Sequence, residues 1–158
     1  MALQFRRDVT GHDAAGRAIV KIDEIAKNLV SSRPGATSCV VWTSQSFPVD
    51  NTGEEDAGLR STGTTLDNGT VFRVLELAPG ASPRNHRTDS IDYAVVMSGE
   101  IDMELDGSTV HLKAGDVLVQ RGTIHNWVNR GSEPCVIAFV LIAADPVTAG
   151  GKVLHAQG

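Results

Sequence analysis

Short runs of alternating apolar and polar residues, each cut off by Gly or another turn former, fill the chain after residue 36. Period-two alternation bounded by turn residues reads as strand. Val71–Leu77 is one such run. Ile91–Met97 and Ile101–Leu105 flank Ser98-Gly99-Glu100, a tight hairpin signal. Thr109–Leu112 follows the turn dipeptide Asp106-Gly107, and Val117–Gln120 follows Lys113-Ala114-Gly115-Asp116. Ile124–Asn129 comes next, then the polar turn Arg130–Pro134, and the longest apolar run, Cys135–Ala144, closes the series. Many short strands at even spacing predict an all-β barrel or sandwich.

The first third reads differently. Phe5–Thr10 and Arg17–Ile22 flank Asp13-Ala14-Ala15-Gly16 as a hairpin, and Asp23–Ser31 reads as a short helix capped by Asp23. Between a strand at Cys39–Ser44 and the one at Val71 lies a loop, Gln45–Gly69, rich in Asp, Glu, Gly and Thr. A loop of this length is either mobile or functional, for instance as a lid over a barrel mouth. The expected organisation is an N-terminal extension over 1–36, a single barrel over 37–144 and a small polar tail over 145–158.

Strand alternation assigns faces. Asp92, Ala94 and Val96 share one face of their strand, opposite Ile91, Tyr93, Val95 and Met97. A carboxylate among small apolar residues faces a cavity rather than open water. His125, Trp127 and Asn129 share a face as well, which looks like a ligand pocket. Arg73 lies on the Leu75/Leu77 face. If buried it requires an anionic partner, Asp92 or a substrate carboxylate; an edge position in water is the plainer alternative. Trp127 reads equally as a core indole or as a surface for a planar substrate.

Composition narrows the classes. The 158 residues suit one domain, and 41% hydrophobic with 21% charged residues is ordinary for a globular protein. A net charge of -5 without a Lys/Arg cluster argues against a nucleic-acid partner. No apolar run is long enough for a membrane span, and the N-terminus has no signal-peptide core, so the cytoplasm is the expected location. Cys39 and Cys135 sit in apolar runs and read as buried thiols. His12, His111 and His155 read as surface residues.

Two stretches carry the candidate chemistry. Gly80 is followed after five residues by His86, then by Thr88, Asp92 and Gly99; later come Gly115, Gly122, His125 and Asn129. This order resembles the two motifs of the cupins, small jelly-roll barrels. Thr88 stands where the first motif has a second histidine, and Asp92 where it has glutamate. The second motif lacks its proline, and its segment is one residue short. The resemblance covers roughly 71–142. It implies a two-sheet jelly-roll barrel with the motif residues at one mouth. It also implies a homodimer in which N-terminal strands, here Phe5–Ile22, cross to the partner. The wording around the motifs is similar to that of short single-domain cupins found among genes of aromatic-compound or secondary metabolism.

A complete cupin site offers three histidines and a glutamate to Fe, Mn, Zn, Ni or Cu. This chain offers His86, His125 and the shorter Asp92, a set compatible with a divalent metal such as Fe, Mn or Zn. Threonine is a poor ligand for such metals. Without a metal, His86, His125 and Asp92 can serve as acid and base, moving a proton α to a carbonyl. Arg73, Thr88, Gln120 and Trp127 are the expected substrate contacts. The expected function is that of a small-molecule enzyme (a dioxygenase, isomerase or dehydratase/lyase) acting on a polar, aromatic or carbonyl-bearing metabolite. The alternative is a non-catalytic small-molecule-binding cupin.

Overall fold

In a computed structural model that describes residues 2–158, the alternating runs form strands and no α-helix is present among the described residues. In chain order they are β1 (Arg6–His12), β2 (Ala18–Ile25), β3 (Leu29–Arg33), β4 (Ala36–Ser44) and β5 (Thr70–Leu77). Then follow β6 (Ser90–Ser98), β7 (Glu100–Glu104), β8 (Thr109–Lys113), β9 (Val117–Arg121) and β10 (Asn126–Val128). The series ends with β11 (Cys135–Ala143), β12 (Val147–Ala149) and β13 (Lys152–Leu154). A six-stranded antiparallel sheet in the order β3-β4-β5-β11-β6-β9 faces a three-stranded sheet, β10-β7-β8. The fold is a jelly-roll barrel.

The core lies between these sheets. Val71 and Leu77 of β5, Ala94 and Val96 of β6, and Ile137, Phe139 and Leu141 of β11 pack against Ile101, Met103, Leu112 and Trp127 of the smaller sheet. The alternation on β6 has the expected sense: Asp92, Ala94 and Val96 are buried and Tyr93, Val95 and Met97 are exposed. Cys39 and Cys135 are free, buried thiols whose pKa values burial pushes up, that of Cys135 to about 11.

Three local expectations are corrected. Ile91–Met97 and Ile101–Leu105 are not hairpin partners. β6 pairs with β11 and β9, whereas β7 pairs with β10 and β8. Gly99, at φ 75°, is the corner between the sheets, and a Cβ there would lie 2.5 Å from the Pro134 carbonyl oxygen. Only glycine accepts both that backbone and that approach. Second, the helix expected over Asp23–Ser31 is replaced by the end of β2 and the start of β3. Ile22, Ile25 and Val30 are β-branched and favour the strand state. Third, 145–158 is not a plain tail: it contains the β12–β13 hairpin, and Gln157 pairs with Arg87 by two backbone hydrogen bonds.

The loop Gln45–Gly69 is pinned at several points. Thr43 donates to the Ala57 carbonyl at the short 3₁₀ turn Ala57–Leu59, and Asp56 accepts two bonds from Arg7 at 2.8 and 2.7 Å. Arg7, in β1, is 2% exposed and also bonds Glu24 of β2 and the Val41 carbonyl of β4. One buried guanidinium therefore fastens the β1–β2 hairpin, as expected around the Asp13–Gly16 turn, to both barrel and loop. Arg7→Met should cost about 3 kcal/mol, because Asp56 is left without its cation while water still reaches it in part. Denaturant unfolding checks this, and Arg7→Met/Asp56→Asn should recover part of the loss; a single-variant loss below about 1 kcal/mol would contradict the anchoring role.

Candidate functional site

The residues after Gly80 and after Gly122 run antiparallel to each other, and His86 and His125 form an isolated β-bridge. Each backbone N–H donates to the other residue's carbonyl at 2.9 Å. The bridge fixes both Cα atoms, so the imidazoles lie side by side with centroids 4.3 Å apart and planes tilted by 52°. Both are buried, 9% and 3% exposed.

Their hydrogen bonds set the tautomers. His86 Nδ1 lies 3.0 Å from the Arg84 carbonyl oxygen, and His125 Nδ1 lies 2.9 Å from that of Thr123. A carbonyl only accepts, so each Nδ1 carries the proton and each Nε2 keeps a lone pair. Burial pushes the His86 pKa down to about 4, partly opposed by the bond to the Arg84 carbonyl and reinforced by His125 and by the Arg84 and Arg33 guanidiniums. Burial lowers His125 as well, with Arg84 adding to it. Two neutral imidazoles at neutral pH are the result.

Asp92 is buried on β6 but has other company. Its Oδ1 accepts from Ser90 Oγ at 2.6 Å, and Ser90 Oγ lies 2.7 Å from Thr88 Oγ1. Burial holds the Asp92 carboxyl above the usual range, opposed by the Ser90 bond and the Arg73 charge. Thr88 therefore belongs to a hydroxyl chain. A cavity of about 130 Å³ opens beside Thr88 and Ser90, between Arg121, Gly122 and Val147; it has room for a few waters but not for a metabolite, and neither histidine lines it.

Among the described residues no three His, Cys, Asp or Glu side chains converge on a point that could hold a metal ion. Two imidazoles with Nδ1 tied to carbonyls and Nε2 free have the arrangement typical of metal-binding histidines. Asp92, short by one methylene and turned to Ser90, does not join them as a third donor. The donor set fits two positions of a coordination shell and does not complete one.

The other expected contacts are placed as follows. Arg73 points inward from β5, a central strand, and its Nη2 donates to the Gly63 and Thr64 carbonyls at 2.7 and 3.3 Å. Its Nε is buried without an acceptor. Gln120 lies opposite Asp92 in the β6–β9 register; its Nε2 donates to Thr123 Oγ1 and its Oε1 is buried and unpartnered. Trp127 is a core residue, edge-on to His125 at 6.1 Å and to Phe139 at 5.6 Å. Asn129 is structural: its Nδ2 donates to the Leu77 and Glu133 carbonyls at 2.8 Å each. His12 and His155 are exposed, and exposed His111 bonds Asp102.

Sequence reasoning missed Ser90, Arg33 and Arg84. Ser90 was legible from alternation, two residues before Asp92 on the same face. Arg84 stands two residues before His86 and had the same signal. Arg33 had none, because β3 reaches the site only through the sheet.

The jelly-roll barrel with a histidine pair at its mouth defines a class, and the comparisons give it a family. The Cupin domain family matches residues 73–142. The chain is 36% identical over 159 residues to the Phomopsin biosynthesis cluster protein C' of Diaporthe leptostromiformis, covering 94% of this chain and 83% of that one. It is 34% identical over 157 residues to the Cupin-domain-containing oxidoreductase fogC of Aspergillus ruber, covering 94% and 77%. This chain belongs to the cupin family. In fold it is similar to the polyketide cyclase RemF from Streptomyces resistomycificus, with a TM-score of 0.52, 15% identity, and coverage of 84% of this chain and 79% of that one.

Proposed function

We propose that this cupin is a small-molecule enzyme that moves a proton at a carbon α to a carbonyl, with the His86/His125 pair as the base. The observation that carries this reading is the pair itself: two buried imidazoles whose Nδ1 protons are committed to backbone carbonyls and whose Nε2 lone pairs are free. Such a pair takes up one proton at a time, since the first charge raises the cost of a second. Trp127 and Phe139 supply apolar wall beside it, which suits an aromatic or otherwise planar substrate. Gln120 Oε1 is a free acceptor for a substrate hydroxyl. Asp92, its pKa raised by burial, is bonded through Ser90 to Thr88 beside the water-sized cavity. The biosynthetic-cluster and oxidoreductase relatives support a metabolite as substrate.

The test is proton exchange. Chelator-treated protein, incubated in D2O with a panel of aromatic ketones and aldehydes bearing an α C–H, should exchange that hydrogen, as followed by NMR. Exchange that appears only after Fe, Mn or Zn is added would replace this reading with a metal-assisted one. Ligand-induced stabilisation with no exchange on any panel member would favour the non-catalytic binder.

We also infer a cytoplasmic homodimer. No helix among the described residues is long and apolar enough to cross a membrane. The outer face of the large sheet exposes Tyr93, Val95 and Met97 on β6 next to Val117 and Val119 on β9, with Val117 73% exposed. A contiguous apolar face of this kind is normally covered in solution. Sedimentation equilibrium should give twice the chain mass, and Val95→Lys/Val119→Lys should give the chain mass; a monomeric parent protein would exclude the dimer.

A further inference from the structure

His86 and His125 are buried, and neither lines the small cavity beside Thr88. Free Nε2 lone pairs in such a place serve a ligand only if some segment at the mouth moves. Two segments outside the barrel strands reach this end of the molecule. The loop 45–69 arrives through Thr64, whose Oγ1 lies 3.5 Å from Arg84 Nη1. That loop is pinned elsewhere by the nearly inaccessible Arg7 guanidinium on Asp56 and by Thr43 on Ala57. The segment 144–158 is held more lightly.

This second segment leaves the barrel at Ala144, whose N–H donates to the Asp89 carbonyl at 3.1 Å. It then forms the β12–β13 hairpin, which pairs with no barrel strand among the described residues. A two-stranded hairpin without further partners is marginally stable in water. The segment returns at Gln157, which exchanges backbone bonds of 2.8 and 3.0 Å with Arg87. Successive residues of an extended chain turn their N–H and C=O groups to opposite sides. His86 commits its pair to His125, and Arg87 commits its pair to Gln157. Residues 86 and 87 are therefore the middle of three adjacent chains. The register sets residue 158 opposite His86, and glycine stands there: a Cβ would lie 2.9 Å from His86 Cα and Cβ. Arg84 Nη2 reaches the Gly158 oxygen at 3.1 Å. The segment is thus tied at its two ends, with the second tie directly against His86.

We propose that residues 144–158 are a strap across the barrel mouth, clasped at the Arg87–Gln157 bridge, and that a ligand reaches the histidine pair when this clasp opens. Opening breaks few bonds and leaves both sheets of the barrel intact, which makes it a local event rather than unfolding. Releasing the 45–69 loop would instead strip a buried arginine of its carboxylate. The strap supplies the access that the proton-transfer reading requires. It rests on that reading for what the ligand undergoes, but not for the opening itself.

The test uses diethyl pyrocarbonate, which acylates neutral imidazole nitrogens, on the full chain at neutral pH, with each histidine followed by peptide mass spectrometry. In the parent protein His86 and His125 should label about ten-fold or more slowly than exposed His12. Gln157→Pro removes one donor of the clasp and should speed labelling of the pair about three- to ten-fold. The double substitution Arg87→Cys/Gln157→Cys closes the clasp covalently, since residues that exchange both backbone bonds have Cα atoms about 5.5 Å apart, within the span of a disulfide. Oxidised, this protein should label at His86 and His125 about ten-fold more slowly than the same protein reduced and desalted, with His12 unchanged. Labelling of the pair as fast as His12 in the parent protein, or equal rates in the oxidised and reduced forms, would overturn the proposal. If the cross-link does not form, Gln157→Pro decides, and unchanged labelling in that variant overturns it. Slower labelling on oxidation without deuterium exchange on any carbonyl substrate would sink the proton-transfer reading and leave the strap standing. Deuterium exchange as fast in the oxidised form as in the reduced form would sink the strap and leave that reading standing.

Discussion

His125→Gln is expected to lower turnover of an exchange-competent substrate by about a hundred- to ten-thousand-fold, the span that a positioned general base contributes. Glutamine keeps an amide N–H able to donate to the Thr123 carbonyl, so the β-bridge to His86 and the local backbone should persist. What it removes is the Nε2 lone pair. KM should change little, because the substrate is oriented by other groups, and kcat should carry the loss. His86→Gln should act in the same direction with a smaller effect: its imidazole, with a pKa of about 4, is a weak base on its own and serves mainly to share the proton taken by its neighbour. Steady-state kinetics of both variants check this. Near wild-type kcat in His125→Gln would mean that the pair is a packed polar core and that catalysis, if any, lies elsewhere.

Acid should destabilise the protein well before its carboxylates titrate. In the unfolded chain His86 binds a proton near pH 6.5, and in the folded chain only near pH 4. Between those values the unfolded state holds more protons, so stability is fully present above about pH 6.5 and is lost as pH falls towards 4. The shift corresponds to about 3 kcal/mol for His86 alone, and His125 acts in the same direction. Two groups oppose it. Asp92, with its folded pKa raised, contributes stability below the unfolded carboxyl value that is lost as pH rises through the folded one. His111, raised by its bond to Asp102 and exposed, contributes in acid and loses that contribution as pH rises through its folded pKa. Unfolding free energies should therefore climb between pH 4.5 and pH 7, and His86→Gln should flatten most of that rise. A wild-type profile without slope in this window would show that the imidazoles are solvated.

How far each of these features could be read in advance follows from the range of the interactions that set it. Inward and outward residues of β6 were legible because alternation is local: Asp92 is buried and Tyr93 exposed whatever lies opposite. The buried thiols were legible for the same reason. Pairing was not. Ser98-Gly99-Glu100 has hairpin chemistry, yet Gly99 turns the chain from one sheet to the other, because its backbone packs against Pro134, far away in sequence. The Asp23–Ser31 segment has a helix cap but β-branched residues that a sheet edge can use, and β4 decided between them.

For the site the division is similar. The order of glycines, histidines, acid and asparagine was enough to name the family, and it located both histidines at one barrel mouth. That placement is what the resemblance implied, and the β-bridge brings the two residues together. Only the tertiary structure decided what the side chains do there. The bridge between residues 86 and 125 sets the imidazoles side by side, and the carbonyl bonds at Nδ1 leave both Nε2 atoms free. The Ser90 bond takes Asp92 into a hydroxyl chain with Thr88. Arg33 of β3 meets the Ser82 carbonyl, and Arg73 meets the Gly63 carbonyl of the 45–69 loop, partners remote in sequence. Ring tautomers, counter-ions and burial depend on neighbours remote in sequence, and no local pattern encodes them.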